Sequence, residues 1–160
     1  MTPRLNAFAA APAPMKAWLE FSQGLRQSGL EERLMDLVVT RASQINGCAF
    51  CIDMHWKDAR AAGEDEERLY SLDAWRDSPL YDPRERAALA LTEAVTLIDR
   101  EGVPDPVWDE AAARFEPDEL ARLLCAITAT NAWNRLNIAV KAEPGHYQAG
   151  MFETVGEAAG

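Results

Sequence analysis

Strand-forming residues are scarce in this sequence: among 160 residues there are 12 Val plus Ile against 28 Ala. β-branched side chains favour strands, whereas Ala, Leu, Glu and Arg lose little freedom in a helix. No stretch alternates convincingly at period 2. The one Asn-Gly, Asn46-Gly47, lies between two helical patterns rather than two strands. Sheet-based folds are therefore not expected, and the composition points to an all-α protein. Gly and Pro number only nine each, and no repeat or low-complexity linker divides the chain. With 48% apolar residues, a single domain over residues 1–160 is expected. No apolar run reaches the length needed to cross a bilayer as a helix. The start, Met1 to Met15, is broken by Pro12 and Pro14 and lacks the continuous apolar segment of a signal peptide. Positive charge is also in deficit, 16 Lys plus Arg against 26 acidic residues for a net −10. That balance argues against a nucleic-acid groove or an anionic membrane surface. Three cysteines without an export signal do not suit a disulfide-stapled secreted scaffold. They call instead for packing, metal or redox chemistry in a cytoplasmic protein.

What is present is helical periodicity with clear punctuation. A first helix is expected over about Pro14 to Gln27, with Trp18, Phe21 and Leu25 on one stripe. Ser28 and Glu31 read as a capping box opening a second helix. That helix carries Leu30, Leu34, Leu37, Val38 and Ile45 on one side and Met35, Val39 and Ala42 on a second flank, a sign of burial on more than one side. A third helix opens near Cys48 and stops at Ala62-Gly63. A short fourth follows in Glu64 to Trp75. Asp82-Pro83-Arg84-Glu85 is a strong helix start, and that helix should reach about Asp99. Pro106 to Phe115 forms another, and Pro117 to Ala142 the longest. Gly150 to Gly160 has little to pack.

Chemistry concentrates in Asn46-Gly47-Cys48-Ala49-Phe50-Cys51-Ile52-Asp53-Met54-His55. At about 100° per residue, Cys48, Cys51 and His55 fall within an arc of roughly 60° on consecutive turns. This arrangement suits thiol redox chemistry, in which a thiolate attacks a peroxide or disulfide and a second thiol captures the sulfenic acid. The unpaired amides of the helix start would favour a thiolate on Cys48, and His55 could take the proton from Cys51. Competing readings are buried core thiols and a zinc site. Zinc wants three or four protein ligands, and beyond this motif the chain offers only His146 and Cys125. No metal and no cofactor is therefore expected. A thioredoxin-type site would follow a strand.

Cys125, in an apolar helical run, reads as a buried core thiol, and His146 as a solvated loop residue. Asn131, Asn134, Arg135 and Asn137 punctuate the otherwise apolar last helix. They are expected to join helices or subunits by hydrogen bonds, with lining of the redox pocket as the other role.

On these residues the chain resembles the alkylhydroperoxidase D-like branch of the carboxymuconolactone decarboxylase family. The matching stretches are Leu37 to Gly63, Arg68 to Trp75, Glu85 to Leu89 and Asn131 to Asn137, within about residues 30–140. The resemblance implies a single-domain bundle of about six to seven helices. It also implies an antioxidant activity that reduces hydroperoxides through a Cys48–Cys51 redox disulfide. By resemblance Cys51 is the attacking sulfur, Cys48 the resolving one and His55 the proton relay, whereas the helix-start argument favours Cys48 as nucleophile.

Two departures stand out. The family's relay Glu corresponds to Asp36, a shorter carboxylate that the helical wheel alone turns to solvent. A further His of the founding enzymes is replaced by Phe50. The implied partners are a hydroperoxide or disulfide substrate and an external dithiol, and the implied assembly is a homo-oligomer, trimer or hexamer. Several helices with two apolar flanks and five Trp also suggest an interface. Two other functions compete: a lactone-acid lyase, as in the family's other branch, and a redox-sensing oligomeric module with little catalysis.

Overall fold

Helix is the regular structure of residues 2–152, the part of the chain that the computed structural model describes. In chain order the helices are α1 (Ala7–Ala10), α2 (Pro12–Arg26), α3 (Glu32–Asn46), α4 (Ala49–Ala61), α5 (Glu66–Tyr70), α6 (Pro83–Thr96), α7 (Ile98–Glu101), α8 (Asp105–Ala112) and α9 (Pro117–Val140). A 3-10 turn, Leu72–Ala74, follows α5. The all-α expectation holds. The count of six to seven fits only the helices of eight residues or more, which are six; α1, α5 and α7 have four or five residues each. Among the described residues no helix is long and apolar enough to cross a membrane.

The centre of the bundle is α3. Past the exposed Glu32 and Arg33 its two apolar flanks leave no wet face: every residue from Leu34 to Thr40 is buried. One apolar cluster joins Leu34 and Val38 of α3 to Leu91 of α6 and Leu123 and Ile127 of α9. A second joins Leu37 of α3 to Leu69, Leu72, Trp75 and Leu89. The polar residues that α3 carries inward are met by α9. Asn46 Nδ2 donates to the side-chain oxygens of Asn131 and Asn134 at 2.9 Å, and Asn134 Nδ2 donates to Ser43 Oγ at 3.0 Å.

Several punctuation marks act as expected. Asp82 and Glu85 form a reciprocal capping box on α6. Gly47 closes α3 at φ +68°, and an added Cβ there would meet nothing within 4 Å. Its backbone angle, not crowding, therefore asks for glycine. Other readings need correction. Ser28 bonds back to the Leu25 carbonyl rather than capping α3, which starts at Glu32 without a side-chain cap. On α2, Phe21 is exposed while Met15 is buried, so the inward stripe runs through Met15, Trp18 and Leu25. The long helix expected from Pro83 to Asp99 breaks at Leu97. There the buried Thr96 hydroxyl is tied to Asn131 of α9. Of the tail, residues 153–160 lie outside the described residues, but Gly150 and Phe152 do pack, as described below.

The resemblance segments around Arg68 and Glu85 meet in a buried ionic cluster. Arg68, from α5, is buried between Glu64 and Glu85 and also donates to the Leu80 carbonyl. Burial pushes the Glu64 carboxyl up, but hydrogen bonds from Arg33 and the Asp65 amide, followed by the charge and hydrogen bond of Arg68, hold it below the usual range. Removing one member of such a cluster strands the others without solvent. Arg68→Ala is expected to lower the unfolding free energy by about 3–5 kcal/mol, read by urea denaturation. A loss under about 1 kcal/mol, the value of a surface pair, would contradict this account.

Candidate active site

The reversal at Gly47 launches α4 with Cys48 as its N-cap residue, at φ −83° and ψ 92°. Its Sγ accepts the Cys51 backbone N–H at 3.4 Å, as a capping oxygen would. The helical turn brings the two cysteines together, and they are joined as a disulfide with Cα atoms 5.3 Å apart. Both are buried. His55 lies one turn beyond Cys51 on the same face and is also buried. Its Nδ1 has no hydrogen-bond partner. Burial, with the nearby Arg26 charge, pushes its pKa down to about 3, so the ring is a neutral imidazole at physiological pH.

Cys51 and His55 border an apolar cavity of about 200 Å³, whereas Cys48 does not reach its wall. Met35 and Val39 of α3 and Trp133 of α9 contribute to the lining, and so does Phe50 of α4. The α2 side is fixed by Trp18, which stacks on Trp133 with centroids 4.5 Å apart, and by the Trp133 Nε1 bond to Ser22 Oγ at 2.8 Å.

The far side is a strap formed by the C-terminal segment. The Tyr147 hydroxyl donates to both oxygens of Asp58 at 2.8 and 3.0 Å, and the Gly150 amide donates to the same carboxylate at 3.2 Å. Lys57 Nζ bonds the Tyr147 carbonyl at 3.0 Å, and Gln23 Nε2 bonds the Phe152 carbonyl at 2.8 Å. Burial beside the Asp58 carboxylate raises the Tyr147 pKa, keeping this phenol protonated as a donor.

Asp36 is not on the surface, contrary to its helical-wheel position: it is 1% exposed. A wheel assumes one wet face, and α3 has none. Its partner is Arg26, whose Nη1 donates at 3.1 Å from the end of α2, and no hydrogen bond joins it to His55 or the cysteines. Burial outweighs Arg26 and raises the Asp36 pKa to about 6. Asn131 and Asn134 serve as helix-joining groups, while Arg135 lies exposed on α9 and donates to Asn131. Asn137, by contrast, lines the cavity, and its Nδ2 lies 3.4 Å from Cys51 Sγ as a donor. Cys125 is exposed, not buried; the apolar run around it winds past both sides of α9, and this position falls on the outer one. His146 is exposed, as expected.

Sequence reasoning passed over Arg26, Asp58 and Tyr147. Asp58 could have been found, because it stands three residues after His55 and so shares its helix face. Arg26 and Tyr147 come from distant segments and carry no local signal.

The two buried titrating groups pull stability in opposite directions. Between about pH 3 and 6.5 the unfolded chain binds more protons at His55 than the folded one, so this contribution is lost as pH falls. Between about pH 4 and 6 the folded chain binds more protons at Asp36, so that contribution is lost as pH rises. Asp36→Asn should therefore lose stability more steeply than the parent from pH 6.5 down to 4, and His55→Gln less steeply, measured by denaturant unfolding. Parallel pH profiles for all three proteins would contradict the assignments.

Residues 12–94 match the carboxymuconolactone decarboxylase family. The chain is 39% identical over 140 residues to the uncharacterized protein YdfG of Bacillus subtilis (strain 168), covering 88% of this chain and 95% of that one. A crystal structure of a protein of unknown function from Agrobacterium tumefaciens, whose description proposes an antioxidant defence protein AhpD, superposes with a TM-score of 0.88. It is 38% identical, over 91% of this chain and 100% of that one. The fold also matches an alkylhydroperoxidase AhpD core, an uncharacterized peroxidase-related protein from Ralstonia eutropha JMP134. That match has a TM-score of 0.73 at 22% identity, over 94% of this chain and 78% of that one. The matched residues and the relative that spans most of both chains make this chain a member of the carboxymuconolactone decarboxylase family.

Proposed function

We propose that the protein is a thiol oxidoreductase that reduces hydroperoxides and is reset by an external dithiol. The observation that carries this reading is the disulfide-linked pair at the start of α4, of which Cys51 alone borders an apolar cavity, beside a neutral histidine. An apolar cavity suits an organic peroxide. The neutral ring can accept a proton; burial weakens it as a base, and the negative charge that develops on the neighbouring sulfur raises its basicity as the proton moves.

In the reduced enzyme His55 takes the Cys51 thiol proton, and the thiolate attacks the distal peroxide oxygen. The O–O bond breaks as the S–O bond forms. The departing alkoxide takes the proton from His55 and leaves as an alcohol, with Cys51 as sulfenic acid. The Cys48 thiol then displaces water from that sulfur and forms the disulfide. A dithiol reduces it, leaving as its own disulfide. Asp36 enters through Arg26: it holds the guanidinium at the cavity wall, near enough to His55 to help keep the ring neutral. The exposure of Cys51 rather than Cys48 to the cavity favours Cys51 as the attacking sulfur. A lactone-acid lyase finds less support, because Arg26, the one cationic side chain in the lining among the described residues, is already paired with Asp36.

Cys51→Ser should abolish dithiol-dependent consumption of tert-butyl hydroperoxide. His55→Ala should slow it about 100-fold and leave a rate that climbs toward alkaline pH, where the thiol ionises without a base. Undiminished turnover in Cys51→Ser would overturn the mechanism. The assembly belongs to the same proposal: Leu5, Phe8, Phe21 and Ile138 are exposed apolar side chains of the kind that association covers. Light scattering at micromolar concentration should return a multiple of the 17.7 kDa chain mass, and a monomeric mass would contradict it.

A further inference from the structure

The asparagines of α9 recur at intervals of three, and the first two are consumed in joining helices. Asn131 bonds Asn46, Thr96 and the Ile127 carbonyl, and Asn134 bonds Asn46 and Ser43. The third, Asn137, makes a different contact: its Nδ2 donates to Cys51 Sγ at 3.4 Å across the α4–α9 junction.

That contact gains weight from what the rest of the site withholds. A thiolate in an apolar cavity is disfavoured by burial and needs a donor or a cation. The α4 amide within reach of the pair, that of Cys51, points to Cys48 Sγ instead. Among the described residues, every charged or titratable group facing the cavity is otherwise engaged or uncharged. From α2, Arg26 donates to Asp36 of α3. From the strap, Tyr147 donates to Asp58 of α4. His55, on the same helix as Cys51, is neutral at rest and gains a charge only by taking the Cys51 proton itself. Gln23 is turned to the Phe152 carbonyl. Apart from His55, which takes its proton, the donor placed on Cys51 is the Asn137 amide.

We propose that Asn137 is a catalytic residue, whose side-chain N–H stabilises the thiolate on Cys51 and thereby assigns the attacking role to that sulfur. The two sulfurs then have separate donors, a backbone amide for Cys48 and a side-chain amide for Cys51. When His55 removes the Cys51 proton, the charge develops against the Asn137 N–H. As the sulfur gives its electron pair to the peroxide oxygen, the same N–H returns to a neutral acceptor. This assignment rests on the peroxidase reading only for the identity of the electrophile, since the donor acts on the free thiolate whatever it attacks.

The test uses reduced full-length protein carrying Cys48→Ser and Cys125→Ser, so that Cys51 is the sole thiol and serine keeps the N-cap bond. Alkylation of Cys51 by iodoacetamide is followed against pH. Adding Asn137→Ala should raise the midpoint by about one pH unit, so that the rate at pH 7 falls about tenfold while the alkaline plateau stays the same. Asn137→Asp, of the same shape but with a carboxylate against the sulfur, should raise the midpoint further. An unchanged midpoint in both variants overturns the proposal. So does a midpoint shift accompanied by a raised plateau in both, the mark of a loosened fold. No peroxide enters this assay. A normal Asn137 dependence without peroxide turnover would therefore defeat the function proposed above and leave this inference standing, and the reverse result would do the opposite.

Discussion

Burial of α3 on all sides is the constraint from which the rest of the molecule follows. A helix with no wet face still carries polar atoms, and each must find a partner inside the protein. Asp36 finds Arg26 at the end of α2, Ser43 finds Asn134, and Asn46 finds Asn131 and Asn134 together. Thr40 is the exception, its hydroxyl buried without a partner. At about 1 kcal/mol apiece these bonds are modest sources of stability. Their larger effect is positional, because leaving any of them unmade costs more than making it gains. They hold α2 and α9 at fixed places around α3, and the cavity lies between those two helices.

The site is built on the next turn of the chain. Because α3 ends in a left-handed glycine, α4 starts at once, with Cys48 half in the helix and Cys51 one turn inside it. The difference between the two sulfurs follows from that offset. Cys48 takes the capping position and a backbone amide; Cys51 turns toward α9, the cavity and Asn137. The same apolar surroundings that welcome an organic peroxide strip His55 of its charge. The resting imidazole is neutral and so free to act as the base, and the thiolate left when it takes the Cys51 proton has the Asn137 amide as a donor in the same apolar surroundings.

Much of this was readable from local signals. The helix boundaries around Gly47, Gly63 and Asp82 depend on backbone rules that act within a few residues, and the shared face of Cys48, Cys51 and His55 depends only on helical pitch. Non-local facts were not readable. The burial of Asp36 reverses the wheel, because amphipathicity assumes a solvent side that α3 lacks. Cys125 is exposed although its neighbours are apolar, because only the packing of α9 decides which of its sides is inward. Phe152 lies in the tail expected to have little to pack and Tyr147 carried no signal of its own, since their partners Gln23 and Asp58 lie far away in sequence. The asparagine series was legible as polar groups awaiting partners, but dividing it into two helix ties and one sulfur donor required the α3–α9 and α4–α9 contacts.

Redox cycling confined to one pair of sulfurs is the central claim, and mass spectrometry of the fully reduced protein after brief treatment with one equivalent of organic hydroperoxide tests it most directly. The account predicts that the peptide holding Cys48 and Cys51 becomes lighter by two hydrogen atoms, while Cys125 remains a free thiol despite its exposure. A Cys48–Cys51 peptide of unchanged mass, with oxidation falling on Cys125 instead, would contradict it.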